Sequence, residues 1–346
     1  MKKINSLLVN FILLFSISLF SGCLDLKPDI VESVKANSVN PDYFILDNLT
    51  EKIQQQTVKL SGIETLCYVL KSNSQASEHK MGPWCPRQLE DKKEKGGIWF
   101  KDGKVYDVSG HFIAELAEFY KDDKWKLFNE EGFVKITESK EACLGAAKPD
   151  VEEKYQNHCV ECLPEYVRDL SKTFVFPLNP VLLVDPIILN RPPPKEGEKG
   201  GDRPKERPKG PPPGKKGGGG PAMRGIALNG VAYDAPAPLH LILGGYTIPP
   251  LDPAGGHINM DAGYHYHAAT GLSVELKQAD GHAPLLGYAM DGIGLYAYKN
   301  ADGTIPNDLD ECRGHFDEVR GYHYHVDAAG NNNFINCLSG AIATNE

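Results

Sequence analysis

Six histidines stand in two copies of one pattern. Gly256-His257, five residues, then Gly263-Tyr264-His265-Tyr266-His267 make the first copy. Gly314-His315, five residues, then Gly321-Tyr322-His323-Tyr324-His325 make the second. Alternate residues of a strand share a face. His265 therefore projects beside His267, and His323 beside His325, while the tyrosines face the other way into apolar packing. Two imidazoles at this spacing reach one metal ion. His257 and His315, eight residues before the first histidine of each pair, can return from a turn to supply a third nitrogen. Three neutral imidazoles with an open position make a catalytic-type zinc site, or a copper or iron site. Five methionines are too few for a Met-rich Cu(I) site, and the cysteines are expected in disulfides. The expected cofactor is therefore a Zn, Cu or Fe ion. Whether the six histidines form one shared site or two separate ones is open at this stage.

Asp252 and Asp310 lie at equal spacing, five residues before His257 and His315. Turn formation comes first for Asp252-Pro253. A carboxylate behind an imidazole, orienting it, is the other role. Asp261, Asp291, Asp317 and His282 are weaker candidates, and Asp291-Gly292 reads first as a hairpin turn. The bland alternative is a Tyr-His-Tyr-His strand that stacks aromatics and bonds carbonyls with no metal. No GxSxG elbow, P-loop or GxGxxG after a strand occurs, so nucleophilic serine or cysteine catalysis has no support. The sequence does not assign a reaction. A metal-dependent hydrolase or oxidase is one alternative to a metal-binding protein, and a metal-free surface-interaction or carbohydrate-binding module is another.

The elements that must hold these residues read mainly as β. Ile98-Trp99-Phe100, Asp102-Gly103 and Val105-Tyr106 spell a hairpin, and Leu285–Met290 with Ile293–Tyr298 spell another about Asp291-Gly292. Trp125 to Ile136 repeats the idea around Glu131-Gly132. Thr65–Leu70 and Phe174–Leu189 are apolar strand candidates, and Asp150–Leu170 has helical composition. Residues 191–221 carry nine basic and four acidic side chains among dense Pro and Gly, a net +5 that leaves −14 for the rest of a chain of net −9. Such a run builds no core and reads as a solvated loop. The acidic balance argues against a nucleic-acid partner.

The first residues read as a targeting signal. Lys2 and Lys3 precede an apolar run from Leu7 to Phe20, too short for a comfortable span. Phe20-Ser21-Gly22-Cys23 looks like a bacterial lipobox. Residues 1–22 are then a lipoprotein signal, Cys23 the lipidated residue, and 23–45 a tether. The expected partner is the membrane, through that anchor. The expected location is the bacterial cell envelope, at the outer membrane. Export favours disulfides. Excluding Cys23, seven cysteines remain, so one thiol is left over. Cys312 with Cys337 is the natural pair, bracketing the second copy. Cys159 and Cys162 are expected in separate structural disulfides rather than as a redox pair.

The two GYHYH copies stand with GIALNGVAYDAPAP (Gly225–Pro238), GYAMDGIGLYAY (Gly287–Tyr298) and LDECRGH (Leu309–His315). Together they resemble the YHYH domain family of exported proteins. The resemblance is specific over 223–340 and looser through Thr65–Asn73 and Thr173–Val181. It implies one domain over 46–346: an N-terminal half (46–190), an insertion (191–221) and a duplicated core (222–346). The expected fold is a compact antiparallel β domain with a few short helices, α+β being the alternative, stabilised by disulfides. The resemblance brings no reaction and no catalytic residues.

Overall fold

A computed structural model describes residues 36–147, 151–189 and 222–343, together with Asp29. The signal, Cys23 and the Pro/Gly run at 191–221 lie outside the described residues. No helix among those described is long and apolar enough to cross a membrane.

The N-terminal half contributes β1 (Gln54–Leu60), β2 (Ile63–Ser72), β3 (Ile98–Lys101) and β4 (Lys104–Asp107). Three short helices follow, α1 (Gly110–Ala114), α2 (Leu116–Tyr120) and α3 (Lys140–Ala146), then β5 (Lys172–Pro177) and β6 (Leu182–Ile188). The C-terminal half adds β7 (Gly225–Ala227), β8 (Ala232–Tyr233), α4 (Leu239–Gly244), β9 (Gly256–Asn259) and β10 (Gly263–Tyr266). It ends with β11 (Leu285–Ala289), β12 (Gly294–Tyr296), β13 (Gly314–Asp317), β14 (Gly321–His325) and β15 (Cys337–Gly340). The architecture is mainly β and mostly antiparallel, as expected.

One eight-stranded sheet organises the molecule, in the order β13-β14-β12-β11-β7-β8-β10-β9. It is made of two like halves. Each half has an antiparallel pair about a tight turn (β7–β8, β11–β12) and a histidine hairpin (β9–β10, β13–β14) added in parallel to the pair's second strand. The halves meet where β7 pairs antiparallel with β11, Ile226 opposite Tyr288 at the centre of the register. The duplication therefore extends beyond the histidine motifs: Gly225 to Ala235 matches Gly287 to Ala297. Most of the buried apolar side chains form a single cluster on this sheet. It takes in Ile226, Leu295 and Tyr324 together with Leu70, Phe174 and Phe176 of the N-terminal half.

Both Asp-Gly hairpins form where the sequence places them. The strand candidates at 65–70 and 174–189 become β2, β5 and β6. Around Gly132 the chain turns back, with Phe128 bridging Val134, but builds no longer strands. Asp150–Leu170 is not a long helix; only Glu153–Tyr155 and Pro164–Val167 make single 3₁₀ turns. Tertiary ties override its composition. Cys159 is drawn into extended backbone between Ile136 and Ile248 and is bonded to Cys85. Cys162 is bonded to Cys143. The end of the stretch read as a tether is also packed, with Val39 and Phe44 buried in the core and Ala36 bridging Gly321. Cys312 pairs with Cys337, as expected, and among the described residues Cys67, buried, is the remaining thiol.

Candidate metal centres

The hairpin register explains why the pattern is written as it is. His265 lies directly opposite His257, and His323 opposite His315. The glycine before each of these opposing histidines makes room for a tyrosine. A Cβ on Gly256 would lie 2.4 Å from the Tyr264 hydroxyl, and one on Gly314 would lie 2.2 Å from that of Tyr322. Gly263 and Gly321 open the second strands at φ 69° and 66°, a region that favours glycine.

The histidines gather into two clusters, not one. His257, His265 and His267 form the first; His282, His315, His323 and His325 form the second. They sit on hairpins at opposite edges of the sheet. Five strand spacings separate β10 from β14, on the order of 24 Å at about 4.8 Å each. A shared two-metal centre needs about 4 Å, so the two copies build separate sites.

Within each cluster the Nε2 atoms converge. His267 Nε2 lies 3.0 Å from His265 Nε2 and 3.2 Å from His257 Nε2. His323 Nε2 lies 2.9 Å from His315 Nε2 and 3.1 Å from His282 Nε2, and His315 Nε2 lies 3.2 Å from His325 Nε2. Six of the seven opposite ring nitrogens are already committed, His315 Nδ1 to Asp308 Oδ1 at 2.8 Å. His265 Nδ1 donates to Gly263 O and His267 Nδ1 to Ala235 O. His323 Nδ1 donates to Gly321 O, His325 Nδ1 to Ala297 O and His282 Nδ1 to Ala283 O. A carbonyl only accepts, so each of these Nδ1 atoms carries the proton, and a neutral ring is left with a bare lone pair on Nε2. Burial keeps the rings neutral: it pulls His257 and His265 well below the ordinary imidazole range and lowers His267 and His282. It also pulls His323 down to about 4 and His325 to about 3. Lone pairs aimed at one another at about 3 Å repel unless a cation sits among them. Two nitrogens on one tetrahedral ion at 2.0–2.1 Å lie about 3.3 Å apart, close to these spacings. Backbone carbonyls behind the rings fix tautomer and orientation, as they do behind metal-bound histidines.

Asp252 and Asp310 do not stand behind imidazoles. Asp252 Oδ1 accepts from Ala254 N and Gly256 N, and its Oδ2 accepts from the Tyr264 hydroxyl at 2.7 Å. Asp310 repeats this with Cys312 N, Gly314 N and Tyr322. They form the turns, as first expected, and they also anchor the first tyrosine of each motif. The second tyrosines are anchored from the matched turns: Asn229 Nδ2 donates to the Tyr266 hydroxyl, and the Tyr324 hydroxyl donates to Asp291 Oδ2. Asp291 is thus the hairpin turn and an anchor at once. His79 adds a contact that the sequence did not signal, its Nε2 lying 3.0 Å from the Tyr264 hydroxyl. Of the weaker candidates, only His282 joins a cluster. Asp317 Oδ2 lies 3.9 Å from His323 Nε2 but is paired to Arg320.

Behind the shared plan the two sites differ. The first opens into a cavity of about 320 Å³ between the sheet, α4 and the N-terminal half, walled by Trp84, Val160, Ile242 and Ile258. Asp234 lines it too, with Oδ2 4.0 Å from His265 Nε2. The second cluster has a fourth histidine, His282, which lines a shallower hollow of about 500 Å³ on its outer side, and the Tyr296 ring lies 4.9 Å from that of His282 and 5.0 Å from that of His323.

No curated protein and no solved structure matches the chain. The family model described as YHYH protein matches residues 218–308, from ahead of β7 through the first histidine hairpin to the approach to the second. The match supports the resemblance over residues 218–308, which hold the first GYHYH copy.

Proposed function

We propose that this is a metal-binding protein of the bacterial cell envelope, anchored through lipid on Cys23, that holds one transition-metal ion in each histidine cluster. One observation carries the reading: Nε2 atoms converge at 2.9–3.2 Å, and six of the seven rings have Nδ1 bonded to an oxygen elsewhere. Nitrogen donors without thiolates suit Zn(II), Cu(II) or Fe. The lipid anchor rests on the apolar run that ends at Ser21-Gly22-Cys23.

Elemental analysis of the full-length chain, purified without a histidine tag, tests the reading. Two equivalents of metal are expected. His265→Ala with His267→Ala should remove one equivalent, and His323→Ala with His325→Ala the other. A chain that takes up no Zn, Cu or Fe after reconstitution, while folded by circular dichroism, would refute it. Radiolabelled palmitate incorporation that survives Cys23→Ser would refute the anchor.

A further inference from the structure

The sequence match between the halves gives each site an internal control. Ala235 and Ala297 are equivalent, and their carbonyls take the Nδ1 protons of His267 and His325. One residue earlier stand Asp234 in the first half and Tyr296 in the second. Five residues before the matched glycines Gly225 and Gly287 stand Gly220 and His282. Gly220 lies outside the described residues; at the described pair, Asp234 in place of Tyr296 removes bulk from the first site. The second half spends these positions on a fourth imidazole and on a ring packed against it. The first cluster has no fourth histidine among the described residues, and a short carboxylate replaces the ring.

The geometry agrees. The first group of converging donors contains three histidines and no carboxylate. The 4.0 Å from Asp234 Oδ2 to His265 Nε2 exceeds the roughly 3.3 Å between neighbouring ligands of one tetrahedral ion. Asp234 is thus too far to complete the set, yet close enough to bond a small ligand that does. Its other oxygen is held by Ala235 N at 2.8 Å, which fixes the carboxylate. The cavity beyond it, about 320 Å³ with mostly apolar walls, is at the lower end of small-molecule sites, roughly 300–1,000 Å³. Closed four-ligand sites are structural, whereas three-ligand sites with an open position are the catalytic type.

Resting on the two-site reading above, we infer that the first site is a hydrolytic centre and the second a structural one. A metal held by His257, His265 and His267 would polarise a water within reach of Asp234, and the cavity would take the apolar part of a small ester. In the reaction the water oxygen forms a bond to the acyl carbon while Asp234 accepts a water proton. The ester C–O bond then breaks, and the alcohol leaves with that proton. The products are a carboxylic acid and an alcohol, and no oxidant is needed.

The test uses the full-length chain loaded with Co(II). Two equivalents should bind, and acetohydroxamic acid should shift the visible absorption of one equivalent only. The loaded protein should hydrolyse p-nitrophenyl acetate faster than the metal-free protein. Asp234→Asn should keep both equivalents and the fold while lowering kcat by about 10²-fold or more. The inference is overturned if both equivalents bind but hydroxamate shifts neither or both, or if Asp234→Asn hydrolyses as fast as the parent. Absence of Co(II) uptake would overturn the two-site reading itself, and this inference with it.

Discussion

Asp291 offers the sharpest test of how the tyrosine anchors work. Its side chain is fully buried, and burial pushes its carboxyl up to about 6 from an ordinary 3.8, even though Tyr324, Gly340 N and Ile293 N all donate to it. A group with a raised folded pKa contributes stability that is fully present below the unfolded pKa and is lost as pH rises through the folded one. The window here runs from about 4 to about 6. The shift corresponds to about 3 kcal/mol at 1.36 kcal/mol per tenfold. Asp291→Asn removes the titration but mismatches the hydrogen bonds. One carboxylate oxygen takes both the Tyr324 hydroxyl and Gly340 N, and an amide nitrogen there would face the Gly340 N–H; an unmade bond of this kind costs about 1–3 kcal/mol. The variant should therefore be close to the parent in stability at pH 8 and about 2.5 kcal/mol less stable at pH 4. Urea unfolding of both proteins at pH 4 to 8 measures this. Any release of metal in acid would be common to both and cancel in the difference. Parallel stability profiles would refute the reasoning. Asn229 shows why the matched position is an amide: its nitrogen meets acceptors, the Tyr266 hydroxyl and Glu78 Oε1.

Three further outcomes follow from packing. Replacing Cys312 and Cys337 by Ser opens a loop of 25 residues and should cost about 3.5 kcal/mol, read by denaturant midpoint. Gly314→Ala drives a methyl into the Tyr322 hydroxyl, and Gly256→Ala drives one into that of Tyr264; each should cost about 1–3 kcal/mol and lower the metal held at its own site alone. Equal loss from both sites, by elemental analysis, would count against local action. The Cys67 thiol is buried and pushed up to about 11, so iodoacetamide at pH 8 should leave it unmodified in the folded chain, and guanidinium should expose one further reactive thiol.

Local chemistry was legible, and long-range partnership was not. Asp102-Gly103 and Asp291-Gly292 announce their hairpins because turn preference is a property of adjacent residues. The convergence of His257 with His265 follows from alternation and a turn. The helix Leu239–Gly244, by contrast, has no signal of its own in a half that reads as β; six residues are too few for periodicity to decide. Asp252 and Asp310 were visible by spacing, but their partners are tyrosines across a hairpin, a tertiary fact. His282 carried little signal because its cluster mates lie 33 and more residues away. Laying GIALNGVAYDA over GYAMDGIGLYAY is the step that would have exposed Asp234 against Tyr296.

The seam between β7 and β11 has a consequence for how the two sites came to differ. An antiparallel pair centred on Ile226 and Tyr288 is the contact that two identical chains make about a two-fold axis. In such a dimer every substitution appears twice, so a residue that opens one site opens both. Joined in one chain, the halves are independent in sequence while their mutual contact is kept. One can gather a fourth imidazole under a packed ring and brace the sheet, and the other is free to trade that ring for an acid.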